Sequence, residues 1–277
     1  MGSDGLKQAG ELRFDAALVA RGLARSREIA KQHILSGEAT INGQIVKKAS
    51  QAVMPTDTIE CYGKAPRYVS RGGLKLEKAI ALGKYSLSGK YALDIGASTG
   101  GFTDCMLQHG VKKVYAVDVG HGQLDKTLVS DSRVVNIERT DIRDTKIIKK
   151  YILPFSCDFC TIDVSFISVK AIFDYANEFL KPNADIVCLI KPQFEAGRAS
   201  IGKNGIVKSP KTHCRVLSEL CDFFSSKGFG IAGLTHSPVK GGAGNIEYLA
   251  LLKSGGNNKV FGFEDIVAKA HNALKGG

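Results

Sequence analysis

The sequence predicts an α/β protein in which a doubly wound, largely parallel sheet follows a small α+β unit at the N-terminus. Three observations lead to this fold class. From residue 90 onward, six or seven apolar strand-like runs alternate with helical patterns, as in parallel sheets that carry helices on both faces. A glycine-rich turn at 96–101 directly follows the first of these runs. Before residue 63, two helical patterns and an Asn-Gly hairpin form a separate unit.

The composition limits the class of protein. Hydrophobic residues make up 44% of the 277 residues, which is enough for a sizeable core. The 38 basic and 27 acidic side chains give a net charge of +11, which suits either simple solubility or a polyanionic partner such as nucleic acid. Because no apolar run approaches the ~20 residues of a membrane helix and no signal-peptide core is present, we expect a cytoplasmic protein without a membrane partner.

The seven scattered cysteines are an odd number, which argues against a disulfide framework and suits a reducing cytoplasm. Cys157 and Cys160 have the spacing of some metal ligands. They lie in a strand-like run, however, where residues three apart face opposite sides, and no second pair follows at zinc spacing. We therefore expect no metal site.

Capping and turn residues predict the elements of the N-terminal unit. Ser26 suits the N-cap of a helix whose apolar positions share one face, and Asn42-Gly43 is a strong hairpin signal. The predicted elements are helices over 13–22 and 27–35, a hairpin over 39–46 and a strand over 58–61.

The patterns D-x-x-L, GL-x-x-SR-x-x-A and NG in this unit resemble the small RNA-binding domain named after ribosomal protein S4, over about 50 residues. The resemblance implies RNA binding by the helix pair and the hairpin, mostly through shape and backbone contacts. A generic helix-helix-hairpin unit with solvated charges is the alternative. We assign RNA binding to Arg13, Arg25, Arg27, Lys31, Lys47, Lys48, Arg67 and Arg71.

We expect three segments: the S4-like domain at 1–63, a linker at 64–68 and a second domain at 69–277. The stretch after the linker is basic and leads into an amphipathic helix that extends to about residue 82, with Leu74, Lys78 and 80–81 partly on its inner side. A basic stretch is usually a solvated face. Because this one adjoins the glycine-rich turn, we favour a path for RNA.

Apolar runs define the second domain. The predicted strands cover 91–96, 113–119, 133–138, 157–164, 184–191, 229–236 and 246–253, and the main predicted helices cover 101–109, 168–180, 211–227 and 263–273. The segment 193–211 has no apolar rhythm and is rich in Gly, Lys and Arg, so we predict a long mobile loop there.

The glycine-rich turn has three interpretations. It matches G-x-S-x-G, the nucleophile elbow of α/β-hydrolases, with Ser98 as nucleophile and His236 as a late histidine. An elbow follows several strands of its sheet, however, whereas this turn follows the first. A dinucleotide fold needs glycine at the position of Ser98, where the pyrophosphate approaches the backbone.

In the third interpretation the turn resembles motif I of S-adenosylmethionine-dependent methyltransferases. This resemblance implies a turn that admits the methionine part of the cofactor and an acid after the second strand for its ribose hydroxyls. Asp118 has that position, and Asp141 after the third strand is placed to accept from the adenine amino group, although each also suits a simple turn residue. The cofactor residues that we assign are Asp94, Gly96, Ala97, Ser98, Thr99, Gly100, Gly101, Phe102, Asp118 and Asp141.

Four charged residues form the candidate catalytic set: Lys75 in the basic helix, and Asp163, Lys191 and Glu247 at strand ends. A lysine that closes a buried strand is costly unless it is paired, and strand ends of an open α/β sheet line the ligand crevice. A neutral lysine can remove the proton of a ribose 2′-hydroxyl during methyl transfer, and we assign this step to Lys191. A structural ion-pair cluster is the alternative.

The order Lys-Asp-Lys-Glu resembles the FtsJ/RrmJ-like ribose 2′-O-methyltransferases. Together with the S4-like unit, it makes the chain similar to the TlyA family from about residue 11 to 275. The resemblance implies a class I (Rossmann-like) methyltransferase sheet, S-adenosylmethionine as cofactor, and 2′-O-methylation of cytidine in 16S and/or 23S ribosomal RNA within ribosomal subunits. The oligomeric state is left open, and a monomer is compatible with the sequence.

Three rival functions remain at this point. A non-catalytic ribosomal RNA-binding protein would keep the fold without turnover. The family also carries a hemolysin name, but the sequence shows no membrane span that would support a membrane-lytic protein. A pseudouridine synthase can carry an S4-like domain, yet it needs no turn for a methionine cofactor.

Overall fold

A computed structural model describes residues 11–24, 26–63, 67–202 and 204–274. The chain divides into two compact units, Met1–Arg67 and Tyr68–Gly277. Tyr68, which ends the predicted linker, is 2% exposed and packs in a core of the second unit. Linker residues 64–66 lie outside the described residues.

The N-terminal unit combines two helices with short strands. Its elements are β1 (Leu12–Arg13), α1 (Phe14–Ala20), α2 (Arg27–Leu35), β2 (Ala39–Ile41), β3 (Gln44–Ile45), β4 (Ala52–Val53) and β5 (Ile59–Cys61). An antiparallel sheet has the order β3-β2-β5, while β1 pairs with β4. The predicted helices, hairpin and last strand are therefore confirmed, with a shorter first helix.

Local side-chain chemistry explains these elements. The Ser26 side chain accepts a hydrogen bond from the Ile29 amide at 3.3 Å and so caps α2. Asn42 and Gly43 have φ angles of 51° and 79°, which is the backbone geometry of a tight two-residue hairpin turn. The buried face of α2 packs Ala30 and Ile34 against Phe14 of α1.

The second unit is one large sheet covered by helices. Its elements are α3 (Gly72–Gly83), β6 (Tyr91–Ile95), α4 (Gly101–Gln108), β7 (Lys113–Val117), α5 (Lys126–Val129), β8 (Val134–Ile137), α6 (Thr145–Ile148), β9 (Cys157–Ile162), α7 (Phe173–Asn177), β10 (Leu180–Ile190), α8 (Pro192–Glu195), α9 (Pro210–Ser226), β11 (Phe229–His236), β12 (Tyr248–Ser254) and α10 (Phe263–Ala273). The sheet has the order β11-β12-β10-β9-β6-β7-β8.

The direction of the strands confirms the predicted doubly wound architecture. Strands β6 to β10 pair in parallel, and β12 is antiparallel to both of its neighbours. The chain moves outward from β6 to β8 and then returns to place β9 on the other side of β6. Such a reversal opens a crevice at the carboxyl ends of the strands, which is where ligands bind in open α/β sheets.

Two hydrophobic clusters lie on the two faces of this sheet. Along β6, Ala92 belongs to one cluster and Leu93 to the other, as the two-residue period of a strand requires. Leu76 of α3 and Phe102 of α4 pack with Ala92, whereas Leu220 of α9 belongs to the cluster of Leu93. The alternation of apolar runs and helices therefore produces three layers.

Two predicted elements are wrong in part. The helix expected over 168–180 is a 3-10 turn (Val169–Ala171) followed by α7, because Leu180 already pairs with Cys157 of β9 and so starts β10. The segment 193–211, predicted as a loop throughout, includes most of α8 and a second 3-10 turn (Arg198–Ser200).

The described residues lack two features, a membrane-spanning helix and a group of metal-binding side chains. Within the described ranges, no helix is long and apolar enough to cross a membrane. The same residues contain no group of three or more His, Cys, Asp or Glu side chains that could hold a metal ion. Cys157 and Cys160 are both buried within β9.

Candidate active site

The glycine-rich turn connects β6 to α4 at the point where the strand order reverses. Gly96 has a φ of +83°, and a Cβ atom there would lie 2.4 Å from the carbonyl oxygen of Asp163, so only glycine fits. Gly100 has a φ of +93° and packs against Leu128, while Gly101 packs against the start of α3. All three glycines thus allow close packing around the turn.

A cavity of about 560 Å³ opens beside this turn at the ends of β6, β7 and β9. Its walls include the apolar side chains Ile95, Val117 and Ile142. Of the residues that we assigned to the cofactor, Gly96, Ser98, Asp118 and Asp141 line the cavity, and Asp163 reaches it from the catalytic set. The others lie around the turn: Phe102 packs in a core, Ala97 is 7% exposed, and Thr99 is exposed.

Asp118 is held at the end of β7 by backbone amides. Its Oδ2 accepts from the Ser98 N–H at 2.8 Å, and its Oδ1 accepts from the Gly120 N–H at 2.7 Å. A carboxylate oxygen can accept more than one hydrogen bond, so both oxygens can also receive a ligand hydroxyl. The position predicted for a ribose acceptor therefore lies on the cavity wall.

Asp141 has a strong partner of its own. Its Oδ1 accepts from the Arg143 amide and Nε, both at 2.9 Å, and its Oδ2 accepts from Nη2 at 2.7 Å. The Arg143 guanidinium lowers the pKa of Asp141. Asp141 therefore has the contacts of a turn residue, and its role toward adenine stays a prediction.

Asp94 lies beneath the turn. It is fully buried, and its two oxygens accept from the hydroxyls of Thr103 at 2.6 Å and Thr161 at 2.7 Å. Burial, with a smaller contribution from Asp163, raises the pKa of Asp94 to about 6. Asp94 supports the start of α4 and the end of β9 from inside the fold, and it does not line the cavity.

Glu138 is a residue that the sequence interpretation missed. It accepts from the backbone N–H groups of Gly122 at 2.7 Å, Gln123 at 3.2 Å and Leu124 at 3.4 Å. These amide bonds lower its pKa to about 2. Glu138 thereby holds the loop that supplies Gln123 to the cavity. The only sequence signal for this structural role was the position of Glu138 at the end of a predicted strand.

The catalytic set forms two lysine–carboxylate pairs. Lys191 Nζ lies 2.6 Å from Asp163 Oδ1, and Lys75 Nζ lies 2.6 Å from Glu247 Oε2. Lys75 is 8% exposed and Glu247 3% exposed. A buried ion pair of this kind is stable only while both partners are present.

The sheet topology brings these pairs to one edge. The register of β10 and β12 ends with Ile190 opposite Tyr248, so Lys191 and Glu247 are the next residues at that edge. Asp163 directly follows β9, which is the other neighbour of β10. The predicted set therefore occupies three adjacent strand ends beside the cavity, with Lys75 reaching in from α3.

The loop after β9 adds two residues that sequence reasoning did not single out. Lys191 Nζ donates to Ser165 Oγ at 2.9 Å. Phe166 is 91% exposed, has a φ of +65° and lies with its ring 5.2 Å from that of Phe194. A large exposed aromatic at a cavity rim is unusual on a soluble surface and often marks a binding site.

The nucleophile-elbow interpretation of Ser98 is wrong. His236 ends β11, which is four strands from β6 in the sheet order. At a strand spacing of ~4.8 Å, this separation is roughly 19 Å, far beyond hydrogen-bond reach. The His236 carbonyl oxygen instead accepts a hydrogen bond from Lys78 Nζ at 2.7 Å.

The residues assigned to RNA binding differ in their surroundings. Arg13 and Arg27 both pair with the buried Asp15, at 3.1 and 2.9 Å, yet their side chains remain about half exposed. Lys31 contacts Glu28 at 3.7 Å. Lys47, Lys48, Arg67 and Arg71 are exposed, and Arg25 lies outside the described residues. RNA binding by this set stays a prediction.

Comparison with known proteins adds to this geometry. The family model for FtsJ-like methyltransferases matches residues 68–254, and that for the S4 domain matches 12–59. YqxC of Bacillus subtilis, which carries an rRNA methyltransferase name, is 44% identical over 95% of each chain. The Mycobacterium tuberculosis protein named 16S/23S rRNA (cytidine-2′-O)-methyltransferase TlyA is 37% identical over 93% of this chain and 96% of its own. A solved structure from Streptococcus thermophilus that bears the hemolysin name is 41% identical, with a TM-score of 0.76 over 96% of this chain and 98% of that one.

Proposed function

The chain belongs to the TlyA family, which joins an S4 domain to an FtsJ-like methyltransferase domain, and we propose that it transfers a methyl group from S-adenosylmethionine to a cytidine ribose 2′-hydroxyl in 16S and/or 23S ribosomal RNA. The observation that carries the proposal is the position of the Lys191–Asp163 pair. It lies at the strand ends beside a cavity that Asp163 itself lines. A base is thereby held next to the site where a methyl donor would bind.

The cavity has the features that S-adenosylmethionine requires. Its volume of about 560 Å³ and its apolar walls suit the adenosine part, and Asp118 offers two acceptor oxygens for ribose hydroxyls. The missing side chain of Gly96 lets the turn pack against the Asp163 backbone at the cavity wall, where the methionine part would lie. When bound, this cofactor supplies an electrophilic methyl group.

Lys191 is the proposed general base. In its neutral form, Nζ would accept the proton of the 2′-hydroxyl as the hydroxyl oxygen takes up the methyl group, whose bond to the sulfonium sulfur breaks and leaves a neutral thioether. The proton therefore moves from the ribose oxygen to Nζ, and solvent removes it after the transfer. Asp163 at 2.6 Å and Ser165 at 2.9 Å hold Nζ in position, and Asp163 stabilises the ammonium that forms.

Two further groups would organise the RNA. The buried Lys75–Glu247 pair places opposite charges beside Lys191 at the same edge of the sheet. The exposed ring of Phe166 offers a surface on which a nucleobase can stack, an interaction worth about 1–3 kcal/mol per base. The S4 unit and the net charge of +11 would supply the sequence-independent attraction to the RNA backbone.

The test is to map methylated riboses on purified small and large ribosomal subunits that lack the modification. We expect new 2′-O-methylcytidine with the wild-type protein and none with Lys191→Ala. Lys259→Ala removes an exposed lysine outside the site and is the matched control, which should act like wild type. Methylation of a base rather than a ribose would contradict the reaction, and binding of subunits without any methyl transfer would favour the non-catalytic rival.

A further inference from the structure

Glu195 connects the two loops that carry the catalytic pair. It ends α8, four residues after Lys191, and its side chain crosses to the loop after β9. Its Oε2 accepts from Ser168 Oγ at 2.6 Å, and its Oε1 accepts from the Val169 N–H at 2.8 Å. Asp163 precedes this anchor by five residues in the same loop. One carboxylate therefore joins the segment after β10 to the segment after β9.

Neither segment has much structure of its own. Helix α8 has only four residues, which is too short to be stable without outside contacts. Within 163–168, Phe166 has a positive φ, which is an unfavourable conformation for an aromatic residue. The end of α8 is also held by Arg215 of α9, which donates to the Ala196 carbonyl at 3.0 Å. The Glu195 bonds join the two segments together with the contacts of Lys191 to Asp163 and Ser165 and the Phe166–Phe194 ring contact.

Burial disfavours the charged form of the Glu195 carboxylate, and two hydrogen bonds offset this effect. Glu195 is partly buried, and this burial raises its pKa, while the bonds from Ser168 and Val169 act in the opposite direction. Ser168 has a second task, because its Oγ accepts from the Lys170 amide at 3.2 Å at the start of the 3-10 turn. The carboxylate is thus bound to the point where the loop after β9 becomes helical.

We propose that Glu195 is a positioning residue for methyl transfer, which holds the loop 163–168 against α8 so that Asp163 and Ser165 stay on Lys191 Nζ. This inference rests on the proposed function. The same loop supplies Asp163, Ser165 and Phe166 to the cavity wall. Release of the loop would therefore lower the rate of transfer, where small displacements are costly, and would also disturb the wall of the cofactor cavity.

The experiment compares Glu195→Ala, Glu195→Gln and Ser168→Ala in the full-length protein. We expect kcat for methyl transfer to fall by about 10- to 100-fold in Glu195→Ala, because a misplacement near 1 Å costs about that much. Glutamine can still accept from the Val169 amide and can donate to Ser168 Oγ, so Glu195→Gln should restore kcat to within about threefold of wild type. Ser168→Ala should lie between them, and Glu264→Ala, which removes an exposed acid of α10, should not differ from wild type.

Amide hydrogen exchange gives a reading that does not depend on activity. Exchange across 163–169 should accelerate in Glu195→Ala and stay slow in Glu195→Gln, with or without added S-adenosylmethionine. An unchanged kcat and unchanged exchange in Glu195→Ala would overturn the inference, as would a Glu195→Gln variant as impaired as alanine. If the wild-type protein methylates no RNA, the proposed function fails, while the exchange data still decide whether Glu195 holds the loop.

Discussion

The two halves of the sheet edge hold their carboxylates in different ways. Beside β7 and β8, Asp118 and Glu138 accept from backbone N–H groups that lie 2 to 20 residues away in the chain. Beside β10 and β12, Asp163 and Glu247 pair with lysines, and Glu247 is 172 residues from Lys75. The first arrangement joins residues at most 20 positions apart in the chain, whereas the Lys75–Glu247 pair joins distant parts of the chain.

This difference matches two kinds of chemistry. A carboxylate that is held by amides keeps its charge and its remaining lone pairs for a neutral ligand such as a ribose diol. A carboxylate that is paired with lysine stabilises a group that can gain or lose a proton. We therefore propose that the half with β7 and β8 binds the cofactor and that the half with β10 and β12 transfers the proton.

The largest expected effect comes from breaking the buried pair between Lys75 and Glu247. Replacing Glu247 by Ala leaves the Lys75 ammonium buried without its partner, which should lower the free energy of unfolding by about 3–5 kcal/mol. The double variant Lys75→Met/Glu247→Leu removes both charges and should regain most of this loss, without regaining methyl transfer. Urea unfolding measures both variants. A double variant as unstable as Glu247→Ala would mean that the pair is not what holds this end of β12.

The next effect concerns Asp94, which is fully buried and accepts from the hydroxyls of Thr103 and Thr161. Its pKa of about 6 lies above the ordinary value of 3.8, so the fold favours the protonated form. That contribution is fully present below about pH 4 and is lost as the pH rises through 6, a change of about 3 kcal/mol. In Asp94→Asn, this decline of stability between pH 4 and 7 should disappear.

Glu138 should change the stability of the protein with pH in the opposite direction to Asp94. Its pKa is lowered to about 2, so its contribution to stability is present above about pH 4.5 and is lost as the pH falls toward 2. Glu138→Gln should therefore flatten the acid side of the stability profile, where Asp94→Asn has little effect. Identical pH profiles for the two variants would contradict the distinction between the buried Asp94 carboxylate and the amide-held Glu138 carboxylate.

The smallest expected effect is on cofactor affinity. Asp118→Asn keeps the shape of the side chain but turns one acceptor oxygen into a donor and removes the charge. Hydrogen bonds to charged groups contribute about 1.5–3 kcal/mol, so the affinity for S-adenosylmethionine should fall by about 10- to 100-fold. Isothermal titration calorimetry checks this loss. An unchanged affinity would mean that Asp118 does not bind the cofactor.

Local interactions made much of the fold predictable from the sequence. The cap at Ser26, the Asn42-Gly43 turn and the final helix at 263–273 depend on neighbouring residues, and the structure has each of them. The place of Asp118 after its strand was predictable for the same reason. The apolar runs correctly predicted the strands of the large sheet. Strand β10, however, begins at Leu180 rather than at 184, because Leu180 pairs with Cys157 of β9.

The parts that failed depend on distant contacts. Helical periodicity put Leu74 on the inner side of α3, yet Leu74 is 38% exposed and Lys75 is buried, because Lys75 has Glu247 as a partner. Glu138 and Glu195 were missed because an isolated acid after a strand or in a short helix has no pattern, and its amide partners are recognisable only in the folded chain. The sequence predicted which charged residues come together at this sheet edge but not how they pair.

The central claim is that binding and proton transfer are separate along this edge. One measurement tests it most directly: the affinity for S-adenosylmethionine and the methyl-transfer rate at saturating cofactor, determined side by side for Lys191→Ala and Asp118→Asn. Loss of the base should lower the rate of Lys191→Ala by about 100- to 10,000-fold with its cofactor affinity unchanged. Asp118→Asn should lose affinity and keep a near-normal rate at saturation. A near-normal rate in Lys191→Ala would contradict the account.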